Sequence, residues 1–228
     1  MTLPAPLRGT FAGPVNIALS LAVLGALALV LPPLFGWAVT HAVWQGDMAT
    51  CRAAAGACWA FLQAKARFIL FAFYPADQVW RPALVVVALL ALMVLSALPR
   101  LWGAVLLTVW PVVLISSWGL MAGGGPLPRV SVNDWGGLPV TLLVWTTCMA
   151  FAMPAAVLLA LARQSRMGGL RSLSVAYIEV MRATPMVAIL YFAMLILPMA
   201  LPGGVVMDKI LRATIMTALY MAALKPQA

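Results

Sequence analysis

The side chains able to carry acid–base, nucleophilic or metal chemistry are few: one histidine, five carboxylates and three cysteines. His41 has no companion ligands at metal-site spacing and reads as an interfacial residue. Asp47, Asp77, Asp134 and Asp208 all fall between apolar runs, so a carboxylate pair inside such a run is not expected. A P-loop needs Lys followed by Ser or Thr in a glycine-rich turn. Here Lys65, Lys209 and Lys225 precede Ala66, Ile210 and Pro226, so the chain binds no nucleotide that way and reads as no enzyme. Cys148 sits within an apolar run. Cys51 and Cys58, with six residues between them, are open to two readings: a disulfide in an oxidising compartment, or two thiols.

The elements around these residues are set by composition. Of 228 residues, 65% are hydrophobic and 8% charged, against about 25% charged in soluble proteins. The net charge of +9 is spread singly between apolar runs, which argues against nucleic acid. The chain is an all-α polytopic membrane protein. Counting spans of ~20 apolar residues gives about six transmembrane segments: Val15–Val39, Ala83–Leu98, Leu101–Gly123, Leu138–Ala162, Met186–Leu201 and Ala213–Leu224. The last is incomplete, being only ~18 Å long. Val15–Leu31 exceeds the ~7–15 apolar residues of a secretory signal and reads as an uncleaved anchor. Pro99–Arg100 marks the turn between two spans, and Pro111 and Pro154 are expected to kink theirs. Gly119-x-x-x-Gly123 is a weak helix-packing signal. Ala57–Phe73, with Lys65 and Arg67 near its centre, reads as an interfacial loop segment and not as a span.

Raw positive-inside counting is even. With the N-terminus inside, Arg8, Arg100, Arg163, Arg166, Arg171, Arg182 and Lys225 balance Arg52, Lys65, Arg67, Arg81, Arg129, Lys209 and Arg212. The arginine-dense stretch Arg163–Arg182 tips the orientation toward a cytoplasmic N-terminus. The most informative segment follows. Gly168–Gly169 is a break, Leu170–Arg182 reads as an amphipathic helix with Leu170, Leu173, Tyr177 and Met181 along one side, and Glu179 and Arg182 are close enough to pair. Thr184 before Pro185 is biased away from helix, and Pro185 suits the first turn of a new one. On spacing alone an ordinary charged loop is the stronger reading; the alternative is a surface helix, an elbow and a fresh span.

At these residues the chain resembles the permease subunits of bacterial polar amino acid ABC importers. Gly136-Gly137-Leu138-Pro139-Val140-Thr141-Leu142 resembles the opening of their permease domain. Tyr177-Ile178-Glu179, Arg182, Ala183-Thr184-Pro185 resembles their elbow, and Asp208–Ala213 with Tyr220 continues the likeness. Upstream, Cys51-Arg52-Ala53, Gly56–Phe61, Tyr74-Pro75 and Trp80–Leu84 are similar to the general L-amino acid importers of Gram-negative bacteria.

The resemblance implies a division at 136. Residues 1–136 form an N-terminal membrane region with three spans and a cysteine-containing periplasmic loop (41–82). Residues 137–228 form the N-terminal part of an ABC type-1 permease domain, without the coupling loop and later spans. It implies an inner-membrane subunit of an ATP-driven L-amino acid importer, with Tyr177, Glu179, Arg182, Thr184 and Pro185 at its cytoplasmic elbow and Cys51–Cys58 as a disulfide. The expected partners are a second permease, an ABC ATPase dimer that binds and hydrolyses the ATP, a periplasmic amino-acid-binding protein and the bilayer; no cofactor sits in this chain. Because the likeness stops at Met221–Ala228, the chain is expected not to transport by itself or with its normal partners, and a non-transporting fragment or scaffold subunit is the alternative. No substrate-binding residue is legible.

Overall fold

The computed structural model describes residues 13–200 and 207–224. Arg8, Leu201 and Lys225, which entered the span and charge readings, lie outside them. The described chain is helical throughout, apart from turns and two isolated bridges. Two compact units divide at 66/67, a division by packing that does not coincide with the family-based one at 136.

In the first unit, α1 (Pro14–Phe35) runs on through a π turn, Gly36–Thr40. Together they are long and apolar enough to cross a membrane. The helix is apolar on every side, as suits a lipid-facing span. A short helix, α2 (Met48–Ala53), follows, and the unit boundary falls within α3 (Trp59–Phe71). The segment read as an interfacial loop is therefore helical, though at 13 residues it is too short to span.

The second unit holds α4 (Trp80–Ser96), α5 (Ala104–Ala122) and α6 (Gly137–Arg163), all apolar enough to cross. A single 3-10 turn at Pro99–Leu101 separates α4 from α5, at the expected place. Next come α7 (Gly168–Ala183) and α8 (Met186–Tyr191), the latter continued by a π turn (Phe192–Ile196) and α9 (Leu197–Ala200). α10 (Lys209–Leu224) closes the described chain. Among the described residues four helices qualify as spans, α4 together with the 3-10 turn Ala76–Gln78 before it, or five with the bent pair Gly168–Ala183 and Met186–Ala200, where six segments are expected from the sequence. That is an all-α polytopic membrane fold.

Two boundaries differ from expectation. α7 starts at Gly168, because two glycines at an exposed N-terminus cost a helix little. α10 reaches back over Lys209 and Arg212, giving ~24 Å of helix where the sequence offered ~18 Å. Arg212 donates from Nη1 to Met194 O at 3.4 Å, while its buried Nε has no partner among the described residues.

α6 and α10 pack most closely, and small residues explain why. Cys148, Ala152 and Ala156 recur every fourth residue on α6, opposite Thr214, Ala218 and Ala222 on α10, and all six are buried. Such small-xxx-small stripes let backbones approach inside a bilayer. Cys148 Sγ accordingly donates to Thr214 O at 3.3 Å. Gly119, by contrast, faces open space, so Gly119-x-x-x-Gly123 packs no helix.

Candidate functional site

At the elbow, α7 carries Ser174 and Ile178 into the bundle, while Leu173 is 72% exposed. The packed side is thus rotated from the one read in the sequence. Tyr177 Oη donates to Leu219 O at 2.9 Å and ties α7 to α10. α7 ends at Ala183. Thr184 turns extended, its amide and hydroxyl both donating to Val180 O at 3.1 and 2.8 Å. Pro185, also extended, caps α8, one residue earlier than expected, and its carbonyl accepts from Ala188 N at 3.0 Å. The two helices meet at 99°. Glu179 and Arg182 are both exposed, and no ion pair joins them. An exposed pair gains too little to hold two long side chains in one geometry.

A second constellation was not legible as a site. Arg81, counted above as a loop charge, is wholly buried at the start of α4. Its Nε donates to Leu120 O at 2.7 Å, and its Nη1 to Pro128 O at 3.0 Å and to Gln78 Oε1. Tyr74, 1% exposed, donates from Oη to Met121 O at 2.9 Å. The Leu120 and Met121 carbonyls end α5, where a helix has no internal partners for them and carries partial negative charge, and Pro128 O belongs to the loop that follows. With no carboxylate bonded to it among the described residues, the buried cation is compensated in part by backbone dipoles, while its Nη2 finds no partner among those residues. Burial pushes the Tyr74 phenol above its ordinary pKa of 10.0, with the Arg81 charge pulling weakly the other way. Gly123, at φ +73°, closes this knot: a Cβ there would run into Pro128 O and Arg81 Nη2.

In the first unit, Cys51 and Cys58 are joined by a disulfide with Cα atoms 5.5 Å apart. Asp47 caps α2, accepting from Thr50 N at 2.9 Å and Thr50 Oγ1 at 2.7 Å. The Thr50 hydroxyl above all, then its amide, hold that carboxylate below its usual range. Val43 N donates to Ala57 O at 2.9 Å, and Trp59 Nε1 donates to Ala38 O at 2.7 Å. His41 Nδ1 lies 3.0 Å from Gly36 O.

A groove of about 990 Å³ opens between α5 and α6, lined by Trp102, Leu107, Trp110, Pro111, Phe151 and Pro154 among others. Thr147 is its one hydroxyl, and that hydroxyl already donates to Leu143 O at 2.6 Å and accepts from Trp118 Nε1 at 3.1 Å. Such a surface suits hydrocarbon and offers nothing to the charged ends of a zwitterion. Together these features are an apolar helical bundle whose chain turns sharply at Thr184–Pro185.

The chain is 33% identical over 214 residues to the inner membrane amino-acid ABC transporter permease protein YhdY of Escherichia coli (strain K12), an alignment covering 90% of this chain and 57% of that protein. It is 31% identical over 281 aligned positions to the glutamate/glutamine/aspartate/asparagine transport system permease protein BztC of Rhodobacter capsulatus, covering 93% and 64% respectively. The chain thus spans under two thirds of the length of either relative. No family model and no solved structure matches it.

Proposed function

Since the chain is a homologue of amino-acid ABC transporter permeases, we propose that it is a membrane-spanning subunit of an ATP-driven L-amino acid importer, forming part of the translocation path. Residues 137–228 contribute the first part of the permease domain, and the preceding spans and disulfide loop are its N-terminal extension. The N-terminus is cytoplasmic, which puts Cys51–Cys58 in the periplasm and the α7–α8 elbow at the cytoplasmic mouth. A second permease completes the path. An ATPase dimer supplies the energy, and a periplasmic binding protein delivers the amino acid.

The observation that carries this reading is the elbow. Tyr177, Thr184 and Pro185, the residues of the family motif, are the ones that anchor, end and turn the chain at 99°. Reconstitution with the second permease, ATPase and binding protein in proteoliposomes tests it. ATP-dependent uptake of labelled L-amino acids, lost when this chain is omitted, is the expected result. A complex that assembles but takes up none of them would make the chain a scaffold subunit instead.

A further inference from the structure

α7 has three sides, and among the described residues only one is covered by the rest of the chain. At 100° per residue, Ser174, Tyr177, Ile178 and Met181 share the side turned to α6 and α10. Leu173 and Val180, seven residues apart, fall within about 20° of each other on a second side. They are 72% and 65% exposed. Arg171 and Arg182, eleven residues apart, fall within about 20° of each other on the side opposite Leu173 and Val180. Their guanidinium groups, and that of Arg166 in the bend just before α7, are exposed and have no partner among the described residues. Glu179 is the one acidic side chain on the helix.

We propose that α7 lies in the membrane–water interface, with Leu173 and Val180 in the acyl chains and Arg166, Arg171 and Arg182 binding the phosphates of anionic phospholipids. The 99° corner at Thr184–Pro185 supplies the geometry. If α8 crosses the bilayer, α7 must run along its surface. An apolar side opposed to a basic one is the pattern of a helix seated at the headgroup boundary. A protein partner fits less well, because three unpaired guanidinium groups would have to be desolvated or matched one by one. The inference rests on the fold of this segment and not on the transport reading.

The test uses the full chain in bilayers of equimolar phosphatidylglycerol and phosphatidylcholine. The ratio of the two lipids retained on mild extraction is measured, together with the accessibility of a spin label at Leu173→Cys. Labelling without reductant leaves the Cys51–Cys58 disulfide closed, and Cys148 is buried. The label is expected to be open to dissolved oxygen and closed to a water-soluble nickel reagent. The selectivity for phosphatidylglycerol is expected to fall roughly fivefold per arginine replaced by glutamine, on the order of a hundredfold for all three. It should persist in the triple lysine variant and rise in Glu179→Gln. A label open to nickel puts α7 in water and overturns the proposal. A label closed to both reagents puts a protein over it and overturns the proposal equally. Should the triple glutamine variant fail to insert, unchanged selectivity in Glu179→Gln overturns the proposal by itself.

Discussion

The guanidinium carbon of Arg81 stands 5.9 Å from the centre of the Tyr74 ring, and the two side chains take consecutive carbonyls, Leu120 and Met121, at the end of one helix. They fasten the start of α4 to the finish of α5 at the end opposite the Pro99–Leu101 turn. The hairpin is therefore closed twice, once by chain connectivity and once by polar side chains.

Removing either member should loosen it. Tyr74→Phe leaves the Met121 carbonyl without its donor and should cost about 1–2 kcal/mol. Arg81→Gln strips the Leu120 and Pro128 carbonyls of theirs and should cost about 3 kcal/mol or more. Unfolding titrations with SDS in mixed micelles measure both. A more stable Arg81→Gln chain would mean that desolvating the cation outweighs its bonds.

Alkali should act on the same knot. The buried phenol holds its proton above pH 10.0, where an unfolded chain has released it. Its contribution to stability is therefore complete below pH 10 and is lost as pH rises through the raised value. The difference in stability between wild type and Tyr74→Phe should shrink over that range. A constant difference would mean that Tyr74 is not shielded from water.

Gly137→Ala should be among the most damaging small substitutions. Gly137 has φ +67°, and a Cβ on it would strike the Leu70 carbonyl and Phe71 amide. Strain alone is worth about 1–2 kcal/mol, and the clash adds to it. Thermal unfolding in detergent reads the loss, with Leu138→Ala, a half-exposed neighbour, as the milder control.

Glu179 and Arg182 should act independently. With no ion pair between them, a double-mutant cycle of Glu179→Ala and Arg182→Ala should give a coupling below about 0.5 kcal/mol in stability. Coupling of about 1 kcal/mol or more would show that the pair forms in the bilayer.

The orientation has its own test. An impermeant maleimide applied to intact cells should label Cys51 and Cys58 only after reduction. No labelling with reductant, followed by labelling on lysis, would place that loop inside.

Hydropathy made the spans legible because a bilayer imposes a minimum apolar length on each crossing. The elbow is legible only through the family resemblance: proline constrains both its own φ and its predecessor, but an ordinary charged loop satisfies the same spacing. Arg81 is not legible. A lone arginine beside Pro82 looks like a loop charge, and its partners are the carbonyls of Leu120 and Pro128, which any residue types could supply. The trace it left was Gly123, readable as a helix stop but not as space kept clear for a guanidinium. The α6–α10 contact hid for a similar reason. Cys148, Ala152 and Ala156 differ little from the rest of an alanine-rich helix until Thr214, Ala218 and Ala222 are set against them.

The corner between α7 and α8 is stiff by construction. The ring of Pro185 locks one torsion, and Thr184 bolts the preceding turn with two bonds to a single carbonyl. A right-angled joint that cannot flex is a bell crank. A push delivered across the free end of α7, at right angles to its axis, is passed through the corner and reappears as a swing of α8. Its moment arm is the ~24 Å of α7, a 16-residue helix.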